Sequence, residues 1–495
     1  MATIAGPAYS QADAPLAAID WLSQSVDAPA QPQDPARQTI DEPAVAGTAT
    51  SPGVTVTALD APSADPIGLL PTSVTGLPRD LWAGSQASDL ATLMGGQRVT
   101  GIPAAQQLLR QLILAQADAP MTSGDPNALF LARIDKLLDM GALDPALELL
   151  NQVDTKTPAI FRRWFDVALL TGTEDEACAY MRDTPSTAPS STTRIFCLAR
   201  NGDWSAAALT LNTHIALGDI DDEMADLLAR FLDPDLYEDE APLPAPDRIS
   251  PLVFRMREAI GEALATTPLP RAFAHADLRS TVGWKSQLEA AERLSRSGAI
   301  APNSLQGLYL ARKPAASGGI WDRVAAVQQL DTALRADSAN AIIAALPAAW
   351  GAMTKARTEV AFATLYGPDL IASGVDDPLA HRLALLSPEY ETHAQSIADP
   401  DFATTVAMGA PKGAKTALER AIAEVFDTAS PDPVLTELAA SGQLGAALLQ
   451  SLASLNASAG DMVTLSETLA FWRSVGLEDL TRRASLQLLL QERAQ

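Results

Sequence analysis

Three glycine-centred junctions constrain the fold of this chain more than any other feature of its sequence. Gly141, Gly172 and Gly202 follow one another at intervals of 31 and 30 residues, and an alanine stands five positions after each. Glycine often follows the last residue of a helix, because it adopts the left-handed backbone conformation without strain. An alanine early in the next helix lets the two helices approach closely. The pattern therefore predicts successive helix hairpins.

The residues after these glycines carry signals for helix starts. After Gly141, we expect Asp144 to cap the next helix and Pro145 to occupy its first position. After the second glycine, Thr173 and Glu176 have the spacing of a capping box. Each junction thus combines a stop signal with a start signal.

One helix hairpin cannot bury its apolar face alone, so hairpins stack. Gly442 and Ala447 repeat the same offset near the other end of the chain. On these junctions, residues 125–231 resemble tetratricopeptide-like helical repeats, and the C-terminal third resembles them loosely. The resemblance implies an all-α fold, an α-solenoid of stacked helix hairpins, and it carries over no functional residues. The fold we expect is this solenoid, preceded by a disordered N-terminal segment.

Composition limits the partners of the chain. Among 495 residues, 60 are acidic and 35 are basic, which gives a net charge of −25. A polyanion of this size repels nucleic acid and anionic lipid surfaces. The acidity serves solubility or forms a groove for a cationic partner, and both interpretations stay open. The sequence contains no apolar run long enough for a transmembrane segment.

The first residues resemble the end of a secretory signal. Ala8 and Ser10 are small residues at the spacing that signal peptidase selects. We therefore expect 1–10 to be the remnant of such a signal and the protein to be exported, in a bacterium to the periplasm. The alternative is an ordinary disordered N-terminus of a cytoplasmic protein.

The rest of the chain divides by composition. The segment after the signal is rich in Pro and Ala, with one apolar stretch, Pro15–Leu22, at helical spacing. That stretch is either a docking motif or a helix that packs on the body. The predicted divisions are a flexible segment at 11–77, an N-terminal helical-repeat domain at 78–232, an acidic Pro-rich linker at 233–248 and a C-terminal helical domain at 249–495.

The chain has two cysteines, Cys178 and Cys197, separated by eighteen residues. This separation is sufficient for a turn between two antiparallel helices, so a disulfide is one expectation and two buried free thiols the other. The four histidines have no metal-binding spacing. Residues 409–416 superficially resemble a phosphate-binding loop, but Ala414 stands where that motif needs glycine. We therefore expect no cofactor and no enzymatic activity.

Two short stretches are candidates for contact with a partner. Arg162 and Arg163 are two consecutive cations that stand beside Trp164. The turn at Gly318 and Gly319 leads into Trp321, and a plain connector between helices is the alternative there. These residues complete the set of candidate site residues.

The sequence therefore predicts a non-enzymatic periplasmic scaffold or adaptor. Its partners are expected to be other proteins of the cell envelope, bound through a helical-repeat surface. One alternative is an accessory protein of a flagellar or other envelope machine. The other is an enzyme whose site the sequence does not reveal.

Overall fold

A computed structural model describes residues 63–122, 124–458 and 460–491. The expected secretory remnant at 1–10 and the apolar stretch Pro15–Leu22 lie outside the described residues. So does most of the segment at 11–77.

The described chain consists of helices joined by short turns, which confirms the all-α class. Its β-type pairings are two isolated bridges, Leu70 with Ala115 and Gln86 with Met121. Short 3-10 turns lie at Pro185–Thr187, Pro234–Tyr237 and Arg271–Phe273. The α-helices are α1 (Thr72–Thr75), α2 (Ala87–Gly95), α3 (Pro103–Leu114), α4 (Ala128–Met140), α5 (Leu143–Asn151), α6 (Pro158–Thr171), α7 (Glu174–Asp183), α8 (Ser191–Arg200), α9 (Trp204–Leu217), α10 (Asp222–Leu232), α11 (Pro251–Ala259), α12 (Ala274–Asp277), α13 (Trp284–Ser295), α14 (Pro302–Leu310), α15 (Ile320–Arg335), α16 (Ala339–Ala356), α17 (Glu359–Ser373), α18 (Pro378–Leu386), α19 (Tyr390–Gln395), α20 (Phe402–Ala407), α21 (Ala417–Asp427), α22 (Pro433–Ala440), α23 (Leu444–Ala457), α24 (Met462–Ser474) and α25 (Glu478–Leu490).

The predicted helix ends at the first two glycines are confirmed. Gly141 follows α4 with φ of 77°, and Gly172 follows α6 with φ of 85°. These are left-handed conformations in which a side chain would be strained. The amide of Gly172 donates a hydrogen bond to the carbonyl of Ala168 over 2.8 Å, which ends the helix.

Of the predicted helix starts at the same junctions, the one at Asp144 is wrong, and the one at Thr173 is confirmed in position but lacks the predicted capping box. Helix α5 begins at Leu143, ahead of Asp144, and its cap residue makes no side-chain hydrogen bond. Thr173 does precede α7, but its backbone is not extended (φ −111°, ψ 23°) and its hydroxyl does not cap the helix. An N-cap side chain reaches the first-turn amides from an extended backbone, so no capping box forms.

Helix α4 places two buried cations against the ends of two other helices. Arg133 is fully buried and donates to the carbonyl of Ile113 over 2.6 Å and of Ala115 over 3.2 Å, at the end of α3. Lys136 is 1% exposed and donates to the carbonyl of Gly95 over 2.9 Å, at the end of α2. A helix leaves its last carbonyls unpaired and carries partial negative charge there. The cations therefore fix α2 and α3 on α4.

The first helices also contact the last ones. The side-chain amide of Gln97 donates to the carbonyl of Leu449 over 3.0 Å, across 352 residues of sequence. The backbone amide of Ala104 donates to the side-chain oxygen of Gln487 over 2.8 Å. An open solenoid keeps its two ends apart and makes no such contacts. These contacts do not confirm the stacked-hairpin solenoid, which stays a prediction.

The segment predicted as a linker, 233–248, forms hydrogen bonds and ion pairs with the helices on either side of it. The Arg257 guanidinium donates to the carbonyl of Leu243 over 3.2 Å, and Arg230 pairs with Glu240 over 3.1 Å. The largest core cluster contains side chains from both sides of this segment. The division into two domains there stays a prediction.

None of the described helices combines the length and the apolar character that crossing a membrane requires.

The contact between the two ends of the described chain can be tested at Gly445, the second residue of α23. A Cβ atom added there would overlap the ring of Trp82, which is fully buried. We expect Gly445→Ala to lower the free energy of unfolding by about 1–3 kcal/mol, because neither neighbour has room to move. Urea denaturation followed by circular dichroism measures the change.

Gly351 supplies the control. It lies inside α16, and a Cβ there would meet no atom within 4 Å. Gly351→Ala should raise stability by up to ~1 kcal/mol through helix propensity alone. Equal stability of Gly445→Ala and the unsubstituted protein would contradict the packing of Trp82 on α23.

Candidate functional site

The residues Arg162, Arg163 and Trp164, expected as a contact patch, lie on α6. Arg163 is 8% exposed and forms a two-pronged pair with Asp135 of α4, with both nitrogen–oxygen distances at 2.6 Å. Trp164 is 7% exposed, and the Lys156 ammonium lies 4.6 Å from its ring centroid. Arg162 is partly buried. Arg163 and Trp164 thus serve contacts within the chain and lack the exposure that a partner contact requires.

One turn further along α6, the structure buries a carboxyl group that the sequence analysis did not single out. Asp166 is 4% exposed, and its Oδ2 atom accepts no hydrogen bond from any described residue. Burial raises the pKa of Asp166 to about 7, although the charges of Arg162 and Arg163 act in the opposite direction. The interior of this helix layer is therefore sensitive to pH near neutrality.

The second candidate stretch, Gly318 and Gly319, is exposed and has the backbone that two glycines permit. Their φ angles are 93° and 59°. The amide of Gly318 donates to Asp322 over 2.8 Å, and Trp321 packs on Trp284 with ring centroids 5.1 Å apart. This geometry fits the interpretation as a connector that starts α15.

The two cysteines meet. Cys178 of α7 and Cys197 of α8 form a disulfide, with Cα atoms 4.9 Å apart, and both residues are fully buried. Asn201, at the end of α8, donates from its side chain to the carbonyl of Cys178 over 3.3 Å. The bridge therefore holds α8 against α7 close to the end of α8, seven residues before α9 begins at Trp204.

Helix α9 is the feature that the sequence analysis missed. Ten large apolar side chains are strongly exposed in the described chain, and four of them lie on this one helix. They are Trp204 at 50%, Leu209 at 70%, Ile215 at 42% and Leu217 at 68% exposure. We call these four residues the α9 surface.

The α9 surface exists because the helix has few neighbours. Its main contacts are with α8 and α10, and only Ala207 and Leu211 are buried. Trp204 and Ile215 are eleven residues apart, three helical turns, so they lie on one line along the helix. One sequence signal was available: residues 204–217 contain no Asp, Glu, Lys or Arg.

Acidic residues border the α9 surface at both ends. Asp203 precedes the helix and caps it, accepting from the amide of Ala206 over 3.2 Å. Four carboxylates follow its last turn, and all of these side chains are exposed: Asp219, Asp221, Asp222 and Glu223. At about 100° per residue, Leu209 and Leu217 lie on the opposite side of α9 from Trp204 and Ile215, so the site is a helix with apolar side chains on two sides. We call the acidic residues at its two ends the acidic rim.

Within the described residues, no three His, Cys, Asp or Glu side chains are grouped so that they could hold a metal ion. Two histidines do meet, with His381 Nδ1 2.8 Å from His393 Nε2 and His381 Nε2 3.0 Å from the Thr404 hydroxyl. These contacts occupy both nitrogens of His381 within the fold.

Reduction should destabilise the protein through the disulfide. A bridge that closes a loop of this size contributes about 3 kcal/mol by restricting the unfolded chain. We expect a reductant to lower the thermal midpoint of the unsubstituted protein. The double variant Cys178→Ala/Cys197→Ala has no bridge to reduce. Its thermal midpoint should be below that of the oxidised unsubstituted protein, and reductant should leave it unchanged. A midpoint that reductant leaves unchanged in the unsubstituted protein would show that the bridge does not form.

Asp166 predicts a pH dependence. Its pKa is about 7 in the folded protein against 3.8 when unperturbed, so folding is favoured by protonation and stability is lost as pH rises through 7. Asp166→Asn removes this loss. Relative to the unsubstituted protein, the variant should gain on the order of 1 kcal/mol or more between pH 5 and pH 8.

The matched control for this measurement is Asp135→Asn. Asp135 pairs with Arg163, so its substitution leaves a buried cation without its carboxylate and should destabilise the protein at both pH values. A gain for Asp166→Asn that is equal at pH 5 and pH 8 would refute the raised pKa.

Comparison with known proteins adds no family to this description. No protein-family model, curated protein or solved structure matches the chain. The resemblance to tetratricopeptide-like repeats rests on the junctions in the sequence alone, and function has to be argued from the geometry of the site.

Proposed function

We propose that this protein is a non-enzymatic scaffold that binds another protein through the α9 surface. The partner contributes an amphipathic helix or extended segment with an apolar face and basic flanks. The observation that carries the proposal is the concentration of exposed apolar side chains on α9.

Exposed apolar side chains are ordinary when they are scattered, and a concentration of them marks an interaction site. Leu209 and Leu217 are each more than two-thirds exposed. Their helix contains no Asp, Glu, Lys or Arg, and its one ionisable side chain is His214. Covering a large apolar side chain contributes ~1.5–3 kcal/mol. Several such side chains on one helix can therefore supply the centre of an interface.

The acidic rim determines which partner fits. Exposed carboxylates at both ends of an apolar helix attract a partner with lysine or arginine beside its own apolar residues, and they speed its approach. The net charge of −25 adds a long-range contribution of the same sign. Nucleic acid and anionic lipid are repelled by the same charge.

The cellular location we propose is the periplasm, with envelope proteins as partners. The disulfide between Cys178 and Cys197 supports an oxidising compartment, because such bonds rarely persist in a reducing cytosol. The small residues at Ala8 and Ser10 support export on sequence grounds.

The test is a crosslinked pull-down of the tagged full-length protein from its own cells. The double variant Leu209→Gln/Leu217→Gln keeps the side-chain size and removes the apolar contact. We expect a stoichiometric partner in the unsubstituted sample and at least a tenfold lower recovery with the variant. Recovery should also decrease as salt is raised, because the rim attracts the partner through charge.

Val434 and Val463 provide the matched control, since they are 60% and 64% exposed on α22 and α24, away from α9. The double variant Val434→Thr/Val463→Thr should recover the partner as well as the unsubstituted protein. Equal recovery by both double variants, or no stoichiometric partner at all, would remove the proposal.

A further inference from the structure

A second feature of the molecule is a cavity of about 340 Å³ between three parts of the fold. One wall is α3, the second is the turn from α13 to α14, and the third is the turn from α16 to α17. The volume is at the lower end of the range for small-molecule sites. The cavity lies outside the α9 surface and shares no residue with it.

Positive charge predominates in this cavity. Its charged lining residues are Arg110, Arg296, Arg357 and Glu359, three cations and one carboxylate, in a chain whose overall charge is −25. Glu359 is 1% exposed at the start of α17. The local excess of positive charge is therefore opposite to the charge of the whole molecule.

Two of the arginines are held in place by backbone carbonyls. Arg110 donates from Nη1 to the carbonyl of Gly298, and Arg296 donates from Nε to the carbonyl of Ala356 over 2.7 Å. A guanidinium has five N–H donors, so these bonds orient the group and leave further donors for a ligand. One of the remaining Arg296 nitrogens, Nη2, lies 3.5 Å from a carboxylate oxygen of Glu292. Burial lowers the pKa of Arg110, which means that its charge is incompletely solvated and would gain from a nearby anion.

The third arginine has an unusual backbone. Arg357 is one of two non-glycine residues with positive φ in the described chain, at φ 57° and ψ 45°. Glycine adopts this conformation after a helix without strain, whereas other residues are held in it at a cost of order 1 kcal/mol or more. Strained residues of this kind cluster at ligand sites.

Helix α17 completes the cavity with its N-terminus. Thr358 precedes the helix but makes no side-chain capping bond, because its hydroxyl contacts the sulfur of Met353. The first-turn residues Val360 and Ala361 line the cavity. Amides at a helix start attract anions through their unpaired N–H groups and the helix dipole.

From these observations we propose that the cavity binds a small organic anion. Its carboxylate or phosphate oxygens would pair with Arg357, Arg110 and Arg296, and its apolar body would lie against Pro103, Ile300 and Val360. Bidentate hydrogen bonds from arginine suit both oxyanions. The apolar side of the cavity requires more than an inorganic ion.

Isothermal titration calorimetry of the full-length protein with chosen probes tests this inference. The probes are phenylacetate, phenyl phosphate, the neutral phenylacetamide and inorganic phosphate. Saturable binding of phenylacetate or phenyl phosphate is expected, and the tighter of the two identifies the anionic group. Phenylacetamide and inorganic phosphate should bind at least tenfold more weakly.

Arg357→Gly is the decisive variant, because glycine suits the left-handed backbone and the fold should keep or raise its thermal midpoint. Affinity for the anionic probe should fall at least tenfold, and Arg357→Lys should restore part of it. Asp337→Gly is the matched control, since Asp337 also has positive φ, at 49°, and does not line the cavity.

Three results would overturn the inference. The first is the absence of binding by both organic anions. The second is equally tight binding of phenylacetamide or of inorganic phosphate, and the third is unchanged affinity in Arg357→Gly. Each result is independent of the pull-down, so failure here leaves the protein-binding proposal standing.

Discussion

The pairing of buried cations on α4 with the ends of α2 and α3 is the constraint on which the rest of the structure depends. A guanidinium without exposed surface is costly unless its donors are satisfied. Arg133 meets that requirement through backbone carbonyls, and its pKa is still lowered to about 10 by burial. The nearest acid, Asp65, has its own pKa raised to about 6 by the same burial. The carbonyls that satisfy these buried donors belong to the ends of α2 and α3, so the pairing contributes to how the three helices pack in the N-terminal layer.

That layer in turn positions the end of the described chain. With α2 and α3 fixed, Gln97 and Ala104 reach α23 and α25 through single hydrogen bonds. The same helix α3 supplies Arg110 to the arginine-lined cavity, where it meets the turns after α13 and α16. The cavity is thus a product of how distant helices are held together. The α9 surface has a different origin, because its helix contacts little beyond α8 and α10.

The local signals in the sequence were sufficient for helix ends, whereas for Cys178 and Cys197 they left a disulfide and two free thiols as alternatives that the structure decides. Gly141 and Gly172 end helices because a left-handed residue is needed there, whatever the helices later contact. The capping hydrogen bonds were less predictable, since the hydroxyl of Thr173 bonds to that of Thr171 and does not cap α7. The chain does form a capping box at Thr416, within the stretch that superficially resembled a phosphate-binding loop.

Most of the candidate site could not be predicted from the sequence. Arg163 looked like an exposed cation beside a tryptophan, and its partner Asp135 is 28 residues away on another helix. Only tertiary structure reveals such pairing. The α9 surface left one trace, the lack of charged residues in 204–217, but an apolar helix is usually a buried one. The arginine-lined cavity left no such trace in the sequence, because its lining residues come from three separated parts of the chain.

The contact between the first and last helices has a consequence for synthesis. A ribosome adds ~5–20 residues per second, and 352 residues separate Gln97 from its partner Leu449. The first helices therefore exist for roughly 20–70 s before the segment that covers them has been made. During that interval Leu81 and Trp82, fully buried in the finished protein, face solvent or a chaperone. The nascent chain is consequently exposed to aggregation around Leu81 and Trp82 until α23 has been synthesised.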